Sequence, residues 1–103
     1  MIKIFLDDIR PCPDRWVPAR DYNEMIMLLE KHKGEVEEIS LDHDLGTIRT
    51  GYDVCKWIVE NEYWNMKKIT IHTANPVGSK NMIQLLSRYA PENIKIEQRF
   101  ANN

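Results

Sequence analysis

The stretch Ile2-Lys3-Ile4-Phe5-Leu6-Asp7-Asp8 is a short apolar run that stops abruptly at two aspartates. A buried parallel strand has this appearance where it leaves its sheet. Two later stretches repeat the pattern: Val36 to Leu41 runs into Asp42-His43-Asp44, and Lys67 to Ile71 ends at His72-Thr73. The sequence therefore predicts three strands that each end in polar side chains.

Helical patterns alternate with these strands. Asp21 and Glu24 resemble a capping box at the start of an apolar pattern that ends at Gly34. Thr50 is suited to cap a second helix, and Pro76 suits the first turn of a third. The buried face expected for the third helix consists of Met82, Leu85, Leu86 and Tyr89.

Prolines shape the segment after the first strand. Residues 9–15 contain two prolines and cannot form a helix, because proline removes a backbone donor and restricts the residue before it. Residues 16–19 are interpreted as an edge strand, since Pro18 cannot donate to a ladder on both sides. Residues 94–97 alternate and predict the last strand. The pattern predicts one α/β domain over residues 1–103, a three-layer sandwich whose parallel sheet is covered on both faces.

Composition excludes several classes of protein. Fourteen lysines and arginines against sixteen acidic residues give a net charge of -2, so a broad electrostatic surface for nucleic acid is not expected. Cys12 and Cys55 form no pattern typical of a zinc site or a disulfide framework. Two free thiols and the absence of a signal peptide or membrane span predict a soluble, cytoplasmic protein.

The acidic strand ends predict a metal site. A parallel sheet places the carboxyl ends of its strands at one edge, where Asp7, Asp8 and Asp42, with Asp44 beside them, are expected to converge. Crowded carboxylates raise one another's pKa, so either protons or a cation must neutralise the cluster. We predict a divalent cation, and oxygen ligands favour Mg²⁺, with Mn²⁺ as an alternative. A structural interpretation remains open, in which these acids cap helices and pair with Arg10, Arg20 or Arg49.

Two histidines accompany the acids. His43 and His72 stand at strand ends, where an imidazole can transfer a proton near neutral pH, and we predict that they act in catalysis together with Asp42. A hydrogen-bonded structural role is the alternative for each. His32 is interpreted as a surface residue.

The stretch from Thr73 to Ser79 leads from a strand into a helix, so its free backbone N–H groups and helix terminus predict a phosphate-binding site. Arg10, Thr73, Asn75 and Asn81 are the predicted substrate-binding residues. A helix N-cap with no ligand role is the alternative for Asn75.

Phe5-Leu6-Asp7-Asp8, Ser40-Leu41-Asp42 and Thr73-Ala74 resemble the receiver domain of two-component signalling. The resemblance implies a flavodoxin-like parallel sheet of order 2-1-3-4-5, Mg²⁺ on Asp7 and Asp8, phosphorylation of Asp42, and a phosphoryl contact from Thr73. The chain departs from that pattern in three ways. The first helix is reduced to a loop, the receiver lysine is missing near residues 98–100, and His43, Asp44 and His72 are not receiver features.

A receiver-like branch, the cyclic-phosphate processing domains, is more similar. The resemblance rests on Leu6 to Asp8 with Arg10-Pro11, Leu41 to Gly46, Thr50 to Asp53, and His72 to Pro76. It implies activity on cyclic phosphates of nucleotides or RNA ends.

Two functions follow as expectations. The first is a metal-dependent phosphoesterase whose partner is a small phosphorylated ligand or an RNA terminus, with no membrane association. The second is a non-enzymatic receiver-like module that binds a metal, a phosphorylated ligand or a protein. The histidines separate them, because only the enzyme needs both.

Overall fold

A computed structural model describes residues 1–100, and the last three residues of the predicted domain lie outside this range. The chain alternates between strands and helices along its length. The strands are β1 (Ile2–Leu6), β2 (Val17–Ala19), β3 (Val36–Leu41), β4 (Lys68–Thr73) and β5 (Lys95–Phe100). The helices are α1 (Tyr22–Lys31), α2 (Gly51–Glu60) and α3 (Pro76–Tyr89).

The five strands form one parallel sheet of order β2-β1-β3-β4-β5. This confirms the predicted strand order and the receiver-like α/β class. The register places Leu6 opposite Leu41, and Leu41 opposite Ile71, so β1 and β3 end at the same level while β4 continues two residues further, to Thr73. The polar residues that follow are thereby brought together. Pro18 lies in β2 at the sheet edge, as expected.

The helices share one face of the sheet. α1 packs against α2, and α2 against α3, because three right-handed crossovers that proceed in one direction across a sheet place their helices on one side. The connection from β1 to β2 contains no helix. Within residues 1–100 the layering therefore differs from the three-layer expectation, with helices on one face only.

The second face explains a detail of the core. Phe5 is buried yet does not belong to the cluster formed by the helices and the inner face of the sheet. Its ring packs edge-on against Trp16 and stacks on His72 instead. Ion pairs between Lys68 and Glu97, at 2.8 Å, and other long side chains cover the rest of this face.

The predicted helix starts are confirmed. Asp21 caps α1, Thr50 caps α2 in a capping box with Asp53, and Pro76 lies in the first turn of α3. The box expected at α1 is shifted by one residue, since the Glu24 carboxylate accepts from the backbone N–H of Arg20.

Two predictions need correction, one on the buried face of α3 and one on the bounds of β5. Met82 and Leu86 of α3 are buried, but Tyr89 is 50% exposed, because it lies in the last turn with the Arg88 guanidinium 5.5 Å from its ring. β5 spans Lys95–Phe100 and not residues 94–97, since pairing with β4 continues as far as Phe100 opposite Thr73. Within residues 1–100 we find no helix with the length and hydropathy of a membrane span.

Candidate functional site

Three of the predicted acids meet at the carboxyl edge of the sheet. Asp7, Asp8 and Asp42 each offer a carboxylate oxygen, and these oxygens lie within 4.8 Å of one another. A pocket of about 180 Å³ opens beside them, and Asp44 and Thr73 contribute to its wall. Asp44 stands at the rim with its side chain 65% exposed and lies outside the group of three.

Asp7 is fully buried, and both of its oxygens are occupied. Oδ1 accepts hydrogen bonds from the backbone N–H groups of Ile9 and Arg10, at 2.9 Å each. Oδ2 accepts from Arg10 Nη1 and His72 Nε2, at 3.0 Å each. Burial by itself raises the pKa of Asp7, but these hydrogen bonds outweigh it and lower the pKa below its ordinary value. Asp7 is therefore an ionised anchor of the site.

The carboxylate oxygens of Asp8 and Asp42 have fewer hydrogen-bond partners than those of Asp7. Oδ1 of Asp8 is buried without a hydrogen-bond partner among the described residues. Asp42 accepts from the backbone N–H of His43 at 2.8 Å. Burial raises the pKa of Asp42, the hydrogen bond from Thr73 lowers it, and the charge of Asp7 raises it, with a net rise. A hard divalent cation fits this donor set, because it takes oxygen ligands and stabilises the charged form of both carboxylates.

The structural alternative is realised in part. Arg10 Nη1 lies 3.0 Å from Asp7 Oδ2 and 3.5 Å from Asp42 Oδ2, so it bridges two of the acids. Arg20 donates to backbone carbonyls, those of Asp7 and Arg10, and Arg49 lies over the Tyr22 ring at 4.6 Å. One guanidinium balances at most one of three negative charges, so the arrangement leaves room for further neutralisation by a cation or a proton.

His72 is held between two partners on the helix-free face. Its Nδ1 lies 2.6 Å from Ser40 Oγ, and its Nε2 lies 3.0 Å from Asp7 Oδ2. The ring stacks on Phe5 with centroids 4.4 Å apart, and only 5% of the residue is exposed. Both ring nitrogens take part in hydrogen bonds, so His72 orients Asp7 from the helix-free face of the sheet. It is not among the residues that line the pocket.

Burial lowers the pKa of His72, although the hydrogen bond and charge of Asp7 act in the opposite sense. The unfolded chain therefore binds a proton at His72 more readily than the folded protein does, and stability should fall as the pH drops below about 6.5. We expect the melting temperature of wild type in metal-free buffer to decrease from pH 7.5 to 5 more steeply than that of His72→Asn. His32→Asn is the control, and equal slopes for all three proteins would contradict the assignment.

His43 stands at the mouth of the site with 18% of its side chain exposed. Its Nδ1 lies 3.0 Å from Asp44 Oδ1, and this hydrogen bond is the main reason that the pKa of Asp44 is lowered. The ring packs against Gly78 in the first turn of α3, where an added Cβ would lie 2.5 Å from the imidazole Cγ. The absence of a side chain at Gly78 therefore makes room for His43.

The predicted phosphate-binding residues divide into two groups. Asn75 is the N-cap of α3, because its Oδ1 accepts from the Gly78 N–H at 2.9 Å, and its Nδ2 donates to Asp44 Oδ2 at 3.2 Å beside the acidic pocket. Thr73 lines the acidic pocket and hydrogen-bonds Asp42. Asn81 does not line this pocket and instead faces a separate cleft, because it lies more than one helical turn beyond the start of α3.

Sequence reasoning missed several supporting residues. Ser40 gave one usable signal, a hydroxyl inside an otherwise apolar strand end, and it holds His72. Gly51 has no room for a side chain, because a Cβ would collide with the carbonyl of Asp42. Gly46 has a φ of +70°, which favours glycine, and lies against the carboxylate of Asp8. These glycines let the loops close around the acids.

One of three comparisons with known proteins gives a match. Neither a search of curated proteins nor a search of solved structures gives a match. A family model described as the cyclic-phosphate processing receiver domain matches residues 2–88, which include the three acids, both site histidines and the start of α3. The chain belongs to the cyclic-phosphate processing receiver domain family.

Proposed function

We propose that the protein is a divalent-metal-dependent phosphoesterase that acts on cyclic phosphates of nucleotides or RNA ends. The observation that carries the proposal is the buried, unpartnered Oδ1 of Asp8 within the group of three carboxylates. A buried carboxylate oxygen without a partner is costly, and a cation relieves that cost. Membership of the family supports cyclic phosphates as the substrate class.

Asp8 and Asp42 would hold the ion, with Asp44 at the rim, and Mg²⁺ or Mn²⁺ suits these ligands. Asp7 is a poorer direct ligand, because four hydrogen bonds already occupy its two oxygens. When bound, the ion supplies Lewis acidity toward a phosphoryl oxygen and orients a water molecule.

The chain's own groups would position the phosphate. The Thr73 hydroxyl and the Asn75 amide stand at the start of α3, and the positive end of that helix's dipole favours an anion. The Arg10 guanidinium, in the wall of the pocket, adds positive charge where negative charge develops. Of the two site histidines, His43 is the one whose exposure suits proton transfer, whereas His72 acts by holding Asp7.

The proposal is tested by incubating the purified protein with Mg²⁺ or Mn²⁺ and a panel of 2',3'-cyclic and 3',5'-cyclic nucleotides. We expect hydrolysis of at least one substrate, abolished by EDTA and restored by added metal. A screen without any metal-dependent hydrolysis would contradict the enzymatic function.

One observation favours a second function, a non-enzymatic receiver-like module that binds a metal, a phosphorylated ligand or a protein. His72 is 5% exposed and saturated with hydrogen bonds, so the site presents one accessible histidine and not two. Calorimetric binding of a cyclic nucleotide without turnover would support this module.

A further inference from the structure

A second concave surface begins at His43 and runs between α2 and α3. We name it the α2–α3 groove; its walls include His43, Thr50, Tyr52, Asn81, Gln84 and Arg88. It has a volume of about 600 Å³, larger than the acidic pocket and within the range of small-molecule sites. Among the described residues that line the groove, His43 is the one that hydrogen-bonds a residue of the acidic pocket.

The groove differs in chemistry from the rest of this acidic chain. The described residues that line it include no carboxylate, although the chain has a net charge of -2. Side-chain amides at Asn81 and Gln84 offer donors and acceptors, and the tyrosine rings of Tyr52 and Tyr89 offer flat surfaces. Amides that read base edges and rings that stack on base faces are the means by which proteins recognise unpaired nucleotides.

The groove adjoins the proposed active site at one side chain. His43 lines the groove, and its Nδ1 lies 3.0 Å from Asp44, which lines the acidic pocket. A ligand with its phosphate in the acidic pocket would therefore meet His43 on its way into the groove. The eight residues from Asn81 to Arg88 span roughly 10 Å along the helix, which matches a single nucleoside.

Arg88 completes the far end of the groove. Its guanidinium lies 5.5 Å from the Tyr89 ring centre, so a cation and an aromatic ring are presented together. A groove for a peptide helix would need a row of apolar anchors, and the described lining offers Leu85 as its aliphatic residue. The lining therefore suits a polar aromatic ligand better than a protein segment.

We propose that the α2–α3 groove binds the nucleoside part of a cyclic-phosphate substrate. This rests on the function proposed above and adds a specificity: the protein distinguishes nucleoside cyclic phosphates from cyclic phosphates of polyols. Binding in the groove is the same in the ground state and the transition state, so it affects KM and not kcat.

The test compares adenosine 2',3'-cyclic phosphate with inositol 1,2-cyclic phosphate, which lacks a base. The variant Gln84→Ala with Arg88→Ala removes two exposed side chains that line the groove. We expect KM for the adenosine compound to rise about tenfold or more, with kcat unchanged and no effect on the inositol compound. Lys80→Ala, on the same helix but outside the groove lining, is the matched control. Equal effects on both substrates, or none, would overturn the proposal.

A binding measurement separates this proposal from the enzymatic function. Backbone amide shifts are recorded in EDTA as adenosine 2',3'-cyclic phosphate is added. We expect shifts at residues 50–52 and 81–89 that weaken in the double variant. Such shifts without any hydrolysis would support nucleoside binding in the groove and contradict the enzymatic function. Hydrolysis without these shifts would contradict nucleoside binding in the groove.

Discussion

Replacing His43 by asparagine should lower the turnover of a cyclic phosphate by about 10² to 10⁴ while the melting temperature stays close to that of wild type. His43 is partly exposed beside Asp44, which lines the acidic pocket and fixes the His43 ring through Nδ1. A donated Nδ1 hydrogen leaves Nε2 as the nitrogen that accepts a proton. Steady-state hydrolysis and thermal unfolding of the same preparations measure the two effects.

Two further histidine variants make this result specific. His32→Asn changes a histidine beside Glu35, far from the acids in the sequence, and should leave turnover unchanged. His72→Asn should lower the melting temperature as well as turnover, because it removes two buried hydrogen bonds and the support of Asp7. Wild-type turnover in His43→Asn would rule out proton transfer by this residue.

Replacing Asp8 by asparagine should lower the affinity for Mn²⁺ or Mg²⁺ by about tenfold to a hundredfold or more. Loss of a group that only supports a metal ligand has an effect of that size, and Asp8 is a proposed ligand itself. Asp42→Asn should act in the same direction, since both carboxylates belong to the group of three. Thermal stability in metal-free buffer should hold in Asp8→Asn, because the change removes one of three crowded charges. Isothermal titration and melting curves measure these outcomes.

Asp7→Asn should behave differently from its neighbour. Asp7 is fully buried and pairs with Arg10 and His72, so removing its charge should cost about 3 to 5 kcal/mol of folding free energy. Asp14→Asn, which alters an exposed acid in the β1–β2 loop, controls for the change in net charge. Unchanged cation affinity in both Asp8→Asn and Asp42→Asn would mean that the acidic group is structural.

The two aspartates after β1 show how far sequence reasoning reaches. Their position after an apolar run indicates a strand end, and the alternation of elements indicates that such ends share one edge of a sheet. Nothing in the pair Asp7-Asp8 distinguishes the two residues. The tertiary structure does so, because successive residues at a strand end point to opposite sides, which buries Asp7 among donors and leaves an oxygen of Asp8 without one.

The same limit applies to the histidines and to the layers. His43 and His72 look equivalent as strand-end residues, but β4 extends to Thr73, so His72 lies within the sheet and faces Ser40 and Phe5. The number of layers depends on the face of the sheet on which each crossover places its helix. Because the connection from β1 to β2 contains no helix, no helix within residues 1–100 covers the second face.

The sequence alone thus determined the parallel sheet, the capped helix starts and the convergence of acids, because these follow from periodicity, local capping chemistry and the direction of strands. The strand order came from the resemblance of its motifs to receiver domains. Burial, hydrogen-bond partners and pocket walls were decided only by the tertiary structure, because they depend on contacts between residues distant in the chain. His72 and Asp7, which are 65 positions apart, form such a contact.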